Sequence, residues 1–208
     1  MRLFLLIISF CLILVSGWLA LTVAACDPIQ RNILYLHVPP AICSLACFAV
    51  LFICSIQFLR TESHTCDHIA AASAEVGFIF ATVLNATGMI FAHAEWGQWW
   101  TPSLRLITSA LLWFLYVAYL ILRNSLPSER NREKICAAFG IIAFIDVPLV
   151  FVSARFIRDM HRPSASFESA WQIAALLLAI SGTMLLAAVL ISIRTDILKF
   201  RERLTTSH

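Results

Sequence analysis

The 208-residue sequence predicts an all-α integral membrane protein, a six-transmembrane-helix bundle with both termini cytoplasmic. Three observations predict it. Hydrophobic residues make up 61% of the chain and charged residues 13%, against ~45–50% and ~25% in soluble domains. The apolar residues gather into six runs, each close to the ~20 residues an α-helix needs to cross the hydrocarbon core. Lys and Arg are distributed unequally between the two sets of connections. This composition excludes a water-soluble globule. A disordered chain is excluded because Leu, Ile, Val and Phe dominate, and a disulfide scaffold because seven Cys are few and odd in number. The net charge of +3 is small and scattered, which gives no footing for nucleic acid. One membrane domain is expected over residues 1–208.

In chain order the spans are Leu3–Ala25, Val38–Leu59, Ile69–Ala92, Leu104–Leu122, Ile135–Ser153 and Trp171–Ile193. Each is far longer than the ~10-residue alternating segments of a membrane β-barrel and lacks their period of two. The first run has a rival reading as a cleaved leader, since Val23-Ala24-Ala25-Cys26 resembles a lipoprotein processing site. The run exceeds the ~7–15 apolar residues of a signal peptide, so a retained anchor is expected. His37-Val38-Pro39-Pro40 opens the second span, where two prolines stiffen the backbone. Cys43, Cys47 and Cys54 follow at near-helical intervals and read as small packing residues. The third span carries Glu75 near its inner end and Asn85 deeper in. The fifth carries Asp146 followed by Pro148, and an ionised carboxylate at that depth costs at least ~2.5–3.5 kcal/mol. Asp146 is therefore expected to face the bundle or to be protonated.

With the N-terminus inside, the inner segments hold Arg2, Arg60, Arg123, Arg130, Arg132, Lys134, Arg194, Lys199, Arg201 and Arg203. The outer segments hold only Arg31, Arg105, Arg155, Arg158 and Arg162. That bias places both termini in the cytoplasm. The inner connections Thr61–His68 and Arg123–Lys134 are short, polar linkers, with His64 and His68 in the first. The outer loops, residues 26–37, 93–103 and 154–170, concentrate His, Trp, Arg and Pro. Chemistry is expected on that face.

Three imidazoles fall there, His37, His93 and His161, the last in His161-Arg162-Pro163. An interfacial His serves as a solvated or capping residue, or, where prolines brace it, as an axial ligand of haem iron. Half of the six Trp stand in Trp96-Gly97-Gln98-Trp99-Trp100. They read either as an interfacial aromatic belt or as a flat shelf for a porphyrin face. Arg155, Arg158 and Arg162 suit headgroup phosphates and haem propionates alike. No C-x-x-C-H, Walker A loop, G-x-G-x-x-G, H-E-x-x-H or G-x-S-x-G occurs. No enzyme is expected.

Leu34-Tyr35-Leu36-His37-Val38-Pro39, Trp96-Gly97-Gln98-Trp99-Trp100, the run Arg105–Leu120 and His161-Arg162-Pro163 together resemble the CcmC family of the tryptophan-rich "WWD" haem-handling superfamily. The resemblance covers about residues 32–194. It implies a six-span protein of the bacterial cytoplasmic (inner) membrane that works in cytochrome c maturation, with its functional loops on the periplasmic side. It implies that His37 and His161 are the metal ligands of a transiently bound haem b. Trp96, Gly97, Trp99 and Trp100 would hold the haem edge and present it to a periplasmic haem chaperone, CcmE. CcmA, CcmB and CcmD are the further partners it implies. The family's Trp-Trp-x-Trp-Asp reads Trp99-Trp100-Thr101-Pro102-Ser103 here, so Pro102 and Ser103 stand in place of a Trp and an Asp.

The expected function is handover of a ligand rather than bond-making catalysis. The alternative is a small proton- or solute-coupled transporter using Asp146 and Glu75 as intramembrane carboxylates. An electron-transfer subunit ranks lower, since the His lie at helix ends and not on facing helices of a bundle core.

Overall fold

The computed structural model describes residues 1–24, 32–126, 129–156 and 169–206. Among the described residues there are seven helices: α1 (Arg2–Leu21), α2 (Leu34–Thr61), α3 (His64–Trp96), α4 (Leu104–Ser125), α5 (Glu129–Ala143), α6 (Asp146–Phe156) and α7 (Ala170–Thr206). They supply six segments long and apolar enough to cross a membrane, the fifth being Asn131–Ser153, which runs through α5 and α6. The chain is a multi-pass helical membrane protein. Large apolar side chains such as Phe10, Trp18, Ile53, Phe114 and Leu177 are exposed around the bundle, as a lipid-facing surface requires.

The interruption of the fifth span is a departure from the continuous run expected from sequence. Pro148 has no N–H for the Phe144 carbonyl, and its ring crowds that oxygen. The backbone responds with a turn at Phe144 and Ile145, where Ile145 N–H donates to Ile142 O (3.1 Å) and Val147 N–H to Phe144 O (3.0 Å). These tighter bonds close α5 and separate it from α6. A second departure lies in α2. This helix begins at Leu34 and takes Pro39 and Pro40 into its interior, so His37 sits in the first helical turn and not in the loop before it.

Lipid tails are as apolar as Leu, so helix association in a membrane depends on close backbone approach and interhelical polar contacts. The contact of α2 with α3 uses a face of small residues, including Ala70, Ala74, Gly77 and Ala81. A Cβ on Gly77 would stand 2.7 Å from Phe48 Cε1, so only glycine admits this crossing. Phe48 in turn stacks on Tyr116 of α4, with centroids 3.3 Å apart. These two rings, with Leu51, Leu112, Tyr119 and Cys136, form the main core between α2, α3, α4 and α5. Asn85 donates to Ala81 O (2.8 Å) and Ser109 O (3.4 Å), which ties α3 to α4. Cys43 and Cys47 are buried where α2 meets α7, the packing role expected of them. The first helix leans on α7, where Gly182 leaves room for Ile13 and Ser16 Oγ donates to Ala175 O at 2.7 Å.

One end of the bundle is held by ion pairs. Arg2 at the start of α1 meets Asp196 of α7 at 2.6 Å. Arg123 at the end of α4 forms a bidentate pair with the buried Asp67 of α3. Arg194 of α7 grips Glu75 of α3 through two bonds, 2.5 and 2.8 Å. Lys134 reaches Glu62 at 2.6 Å, and His64 Nδ1 lies 2.9 Å from Glu133. The start of α1 and the late turns of α7 thus share this charged end, and the Trp-rich segment lies at the other.

Candidate functional site

At the Trp end, His37 is set by α3. Its Nδ1 lies 3.0 Å from Thr87 Oγ1, and Gly88 lies beneath the ring, where a Cβ would come within 3.2 Å of Cε1. The single hydroxyl proton of Thr87 is already committed, because Oγ1 donates to Val83 O (2.7 Å) with a longer contact to Leu84 O (3.1 Å). Thr87 can therefore only accept, and His37 Nδ1–H donates to it. That fixes the imidazole as the tautomer whose lone pair is on Nε2, the arrangement seen where a second hydrogen bond orients a metal-binding His. Neither Thr87 nor Gly88 is legible as functional from sequence, since each is a common residue about fifty positions from its partner.

The end of α3 carries the aromatic segment. Gly97 takes φ +71° and closes the helix by donating its N–H to His93 O at 2.9 Å, a left-handed cap that glycine adopts without strain. Beyond it the indoles do not form the single flat shelf expected from their spacing. Trp96 meets Phe91 edge-on, with centroids 5.8 Å apart, whereas Trp99 stacks on His93 at 4.2 Å. Among the described residues no two of the three indoles pair. Gly97 turns the chain between Trp96 and Trp99, which directs them to different neighbours. Trp99 and Trp100 remain 55% and 42% exposed, so two indole faces are available to a ligand or to headgroups. His93 is exposed and engaged with Trp99.

His161, Arg158 and Arg162 lie outside the described residues, and Arg155 is described only as part of α6. A cavity of about 560 Å³ borders the His37 segment between α1, α2, α3 and α7, lined by apolar groups such as Ile13, Leu36, Pro40 and Val83. Its size is that of a small-molecule site.

The two intramembrane carboxylates differ. Glu75 is consumed by Arg194. Asp146 is buried at the first residue of α6, with neither carboxyl oxygen hydrogen-bonded among the described residues. The positive end of the α6 dipole favours a negative group at that position. Asp146 thus faces the bundle, as its depth requires.

The family model for heme exporter protein C, CcmC, matches residues 1–208. The chain belongs to the CcmC family. It is 28% identical over 194 residues to heme exporter protein C of Escherichia coli K12, covering 90% of this chain and 79% of that protein. The proteins of the same name from Bradyrhizobium diazoefficiens and Rhodobacter capsulatus are 25% and 24% identical. Those matches cover 83% and 88% of this chain, and 68% and 80% of the relatives. Against the CcmC signature, the local structure gives Ser103 a definite task. Its Oγ accepts from Leu106 N–H at 3.3 Å as the N-cap of α4. Asp and Ser serve an N-cap about equally well, so a Ser at position 103 meets the needs of this helix start.

Proposed function

We propose that this chain holds haem b transiently at the outer face of the bacterial cytoplasmic membrane, through His37 and His161, and delivers it to the periplasmic chaperone CcmE. Membership of the CcmC family gives the coarser role, haem export in cytochrome c maturation. The observation that carries the finer reading is the orientation of His37. Thr87 accepts the Nδ1 proton and Gly88 lies against the ring, so the imidazole is oriented as the tautomer with its lone pair on Nε2. Haem iron supplies two axial positions for such imidazoles, and exchange of those ligands is the chemistry. Trp96, Gly97, Trp99 and Trp100 contribute a loop whose exposed indoles suit the edge of a flat apolar cargo and the surface of a receiving protein. The three Arg of the last outer loop pair with propionates in this reading. CcmA, CcmB and CcmD are the membrane partners, and both termini are cytoplasmic. No bond to carbon is made or broken, so the role is that of a carrier and not an enzyme.

The transporter reading has less support. One of its two carboxylates, Glu75, is neutralised by a bidentate arginine. The test is the visible absorption spectrum of the detergent-purified protein expressed with ample haem, beside His37→Ala and His161→Ala. A b-type Soret band that weakens in both variants is expected. Wild-type protein without bound haem would overturn the proposal, and loss of function on Asp146→Asn with both His variants active would favour transport.

A further inference from the structure

The charged end contains a second cavity, about 240 Å³, between α3, α4, α5 and α7. Its lining mixes four arginines with four carboxylates, and the pairings among them leave donors over. Asp67 is taken by Arg123 and Glu75 by Arg194, each through both oxygens. Glu133 faces His64 at 2.9 Å, and Glu202 lies 3.6 Å from His64 and 3.5 Å from His68. Two guanidinium groups of the lining, Arg132 and Arg201, have no carboxylate partner among the described residues. Arg132 Nε is buried without a hydrogen-bond acceptor. His68, whose side chain is nine-tenths buried, lines the same cavity with its Nε2 turned toward Glu202 at 3.5 Å. Buried donors without acceptors are rare in folded proteins, because each forfeits its hydration.

An oxyanion satisfies these donors together. A guanidinium fork matches phosphate oxygens, and a second arginine lining the same cavity adds a further set of donors. Leu120 and Leu198 add an apolar portion to the lining, which fits the glycerol and first methylenes of a lipid. Basic pockets between transmembrane helices on the cytoplasmic side are recurrent sites for anionic headgroups. We infer that the cavity at the charged end, with Arg132 and Arg201, is a phosphate-binding site, filled by the headgroup of an anionic phospholipid or by free phosphate. The site is at the opposite end of the bundle from His37 and is independent of haem handling.

The experiment uses the full chain purified in detergent. Native mass spectrometry follows retention of added phosphatidylglycerol against phosphatidylcholine, and thermal unfolding is measured with each lipid and with millimolar inorganic phosphate. Wild-type protein is expected to retain phosphatidylglycerol at least tenfold better than phosphatidylcholine. Arg132→Gln combined with Arg201→Gln abolishes the preference, whereas the charge-matched control Arg60→Gln with Lys199→Gln, outside the cavity, keeps it. Stabilisation by inorganic phosphate in wild type but not in the cavity variant, without lipid preference, identifies free phosphate as the source. Arg132→Lys, which keeps charge and fold but loses Nε, gives intermediate retention. The inference is overturned if wild type responds to neither probe, or if the cavity variant responds as wild type does.

Discussion

The two ends of the bundle are built on opposite principles. At the charged end α1, α3, α4, α5 and α7 are bound to one another by ion pairs, two of them bidentate and partly buried. At the Trp end no ion pair joins two described residues, the indoles of Trp99 and Trp100 are half exposed, and the His37 imidazole is oriented by a hydrogen bond to a hydroxyl. The difference teaches where the molecule stores its helix order and where its surface is left open. Buried paired charges are costly to separate, so they lock neighbours together. Exposed aromatic surface has no such lock, and a partner or cargo can cover and uncover it at small cost.

The largest expected break in that contrast comes from Arg123→Ala. It leaves Asp67 buried and unpaired, which costs about 3–5 kcal/mol. Thermal unfolding in detergent should show a large drop in midpoint, partly restored by adding Asp67→Asn. Next is Gly77→Ala, whose methyl group would crowd Phe48 at 2.7 Å. Overpacking of this kind costs about 1–3 kcal/mol, read by the same melt, with haem absorbance per folded molecule unchanged.

Thr87→Val acts at the other end and should reverse that pattern. The melt stays near wild type while haem affinity falls about 10–100-fold, as when the second hydrogen bond of a ligating imidazole is removed. Thr87→Ser should restore affinity, and equal haem titrations for the Val variant and wild type would discard the role given to Thr87. The smallest effect is expected at the start of α4. Ser103→Ala loses the cap and about 1 kcal/mol, whereas Ser103→Asp is stability-neutral. A melt in which Asp behaves like Ala would show that Ser103 is not a simple cap.

The six spans were legible because length and apolarity alone decide whether a helix can cross the hydrocarbon core. The Trp segment and His37 were legible as an unusual concentration of chemistry at helix ends. Less was legible inside the spans. Pro148 signals a break, but that the turn falls at Phe144 and Ile145 depends on which carbonyls the backbone can re-satisfy. The prolines of α2 read as a stiff approach to a helix, yet the helix starts before them and takes them in, forgoing the bonds that residues 39 and 40 would donate to the Tyr35 and Leu36 carbonyls. Spacing predicted one aromatic shelf, whereas Gly97, at positive φ, separates the indoles into distinct contacts.

Fold class, span count and the residues worth watching thus follow from local properties, which each segment carries wherever it is placed. The tautomer of His37, the neutralisation of Glu75 by Arg194 and the unsatisfied donors around Arg132 do not. The first two depend on partners 50 or more residues away and the third on which groups share a cavity, all settled only when α3 packs against α2, α4, α5 and α7. Hydrogen bonds and ion pairs act over a few ångströms, so the chain order of the groups says little about them until packing brings those groups together.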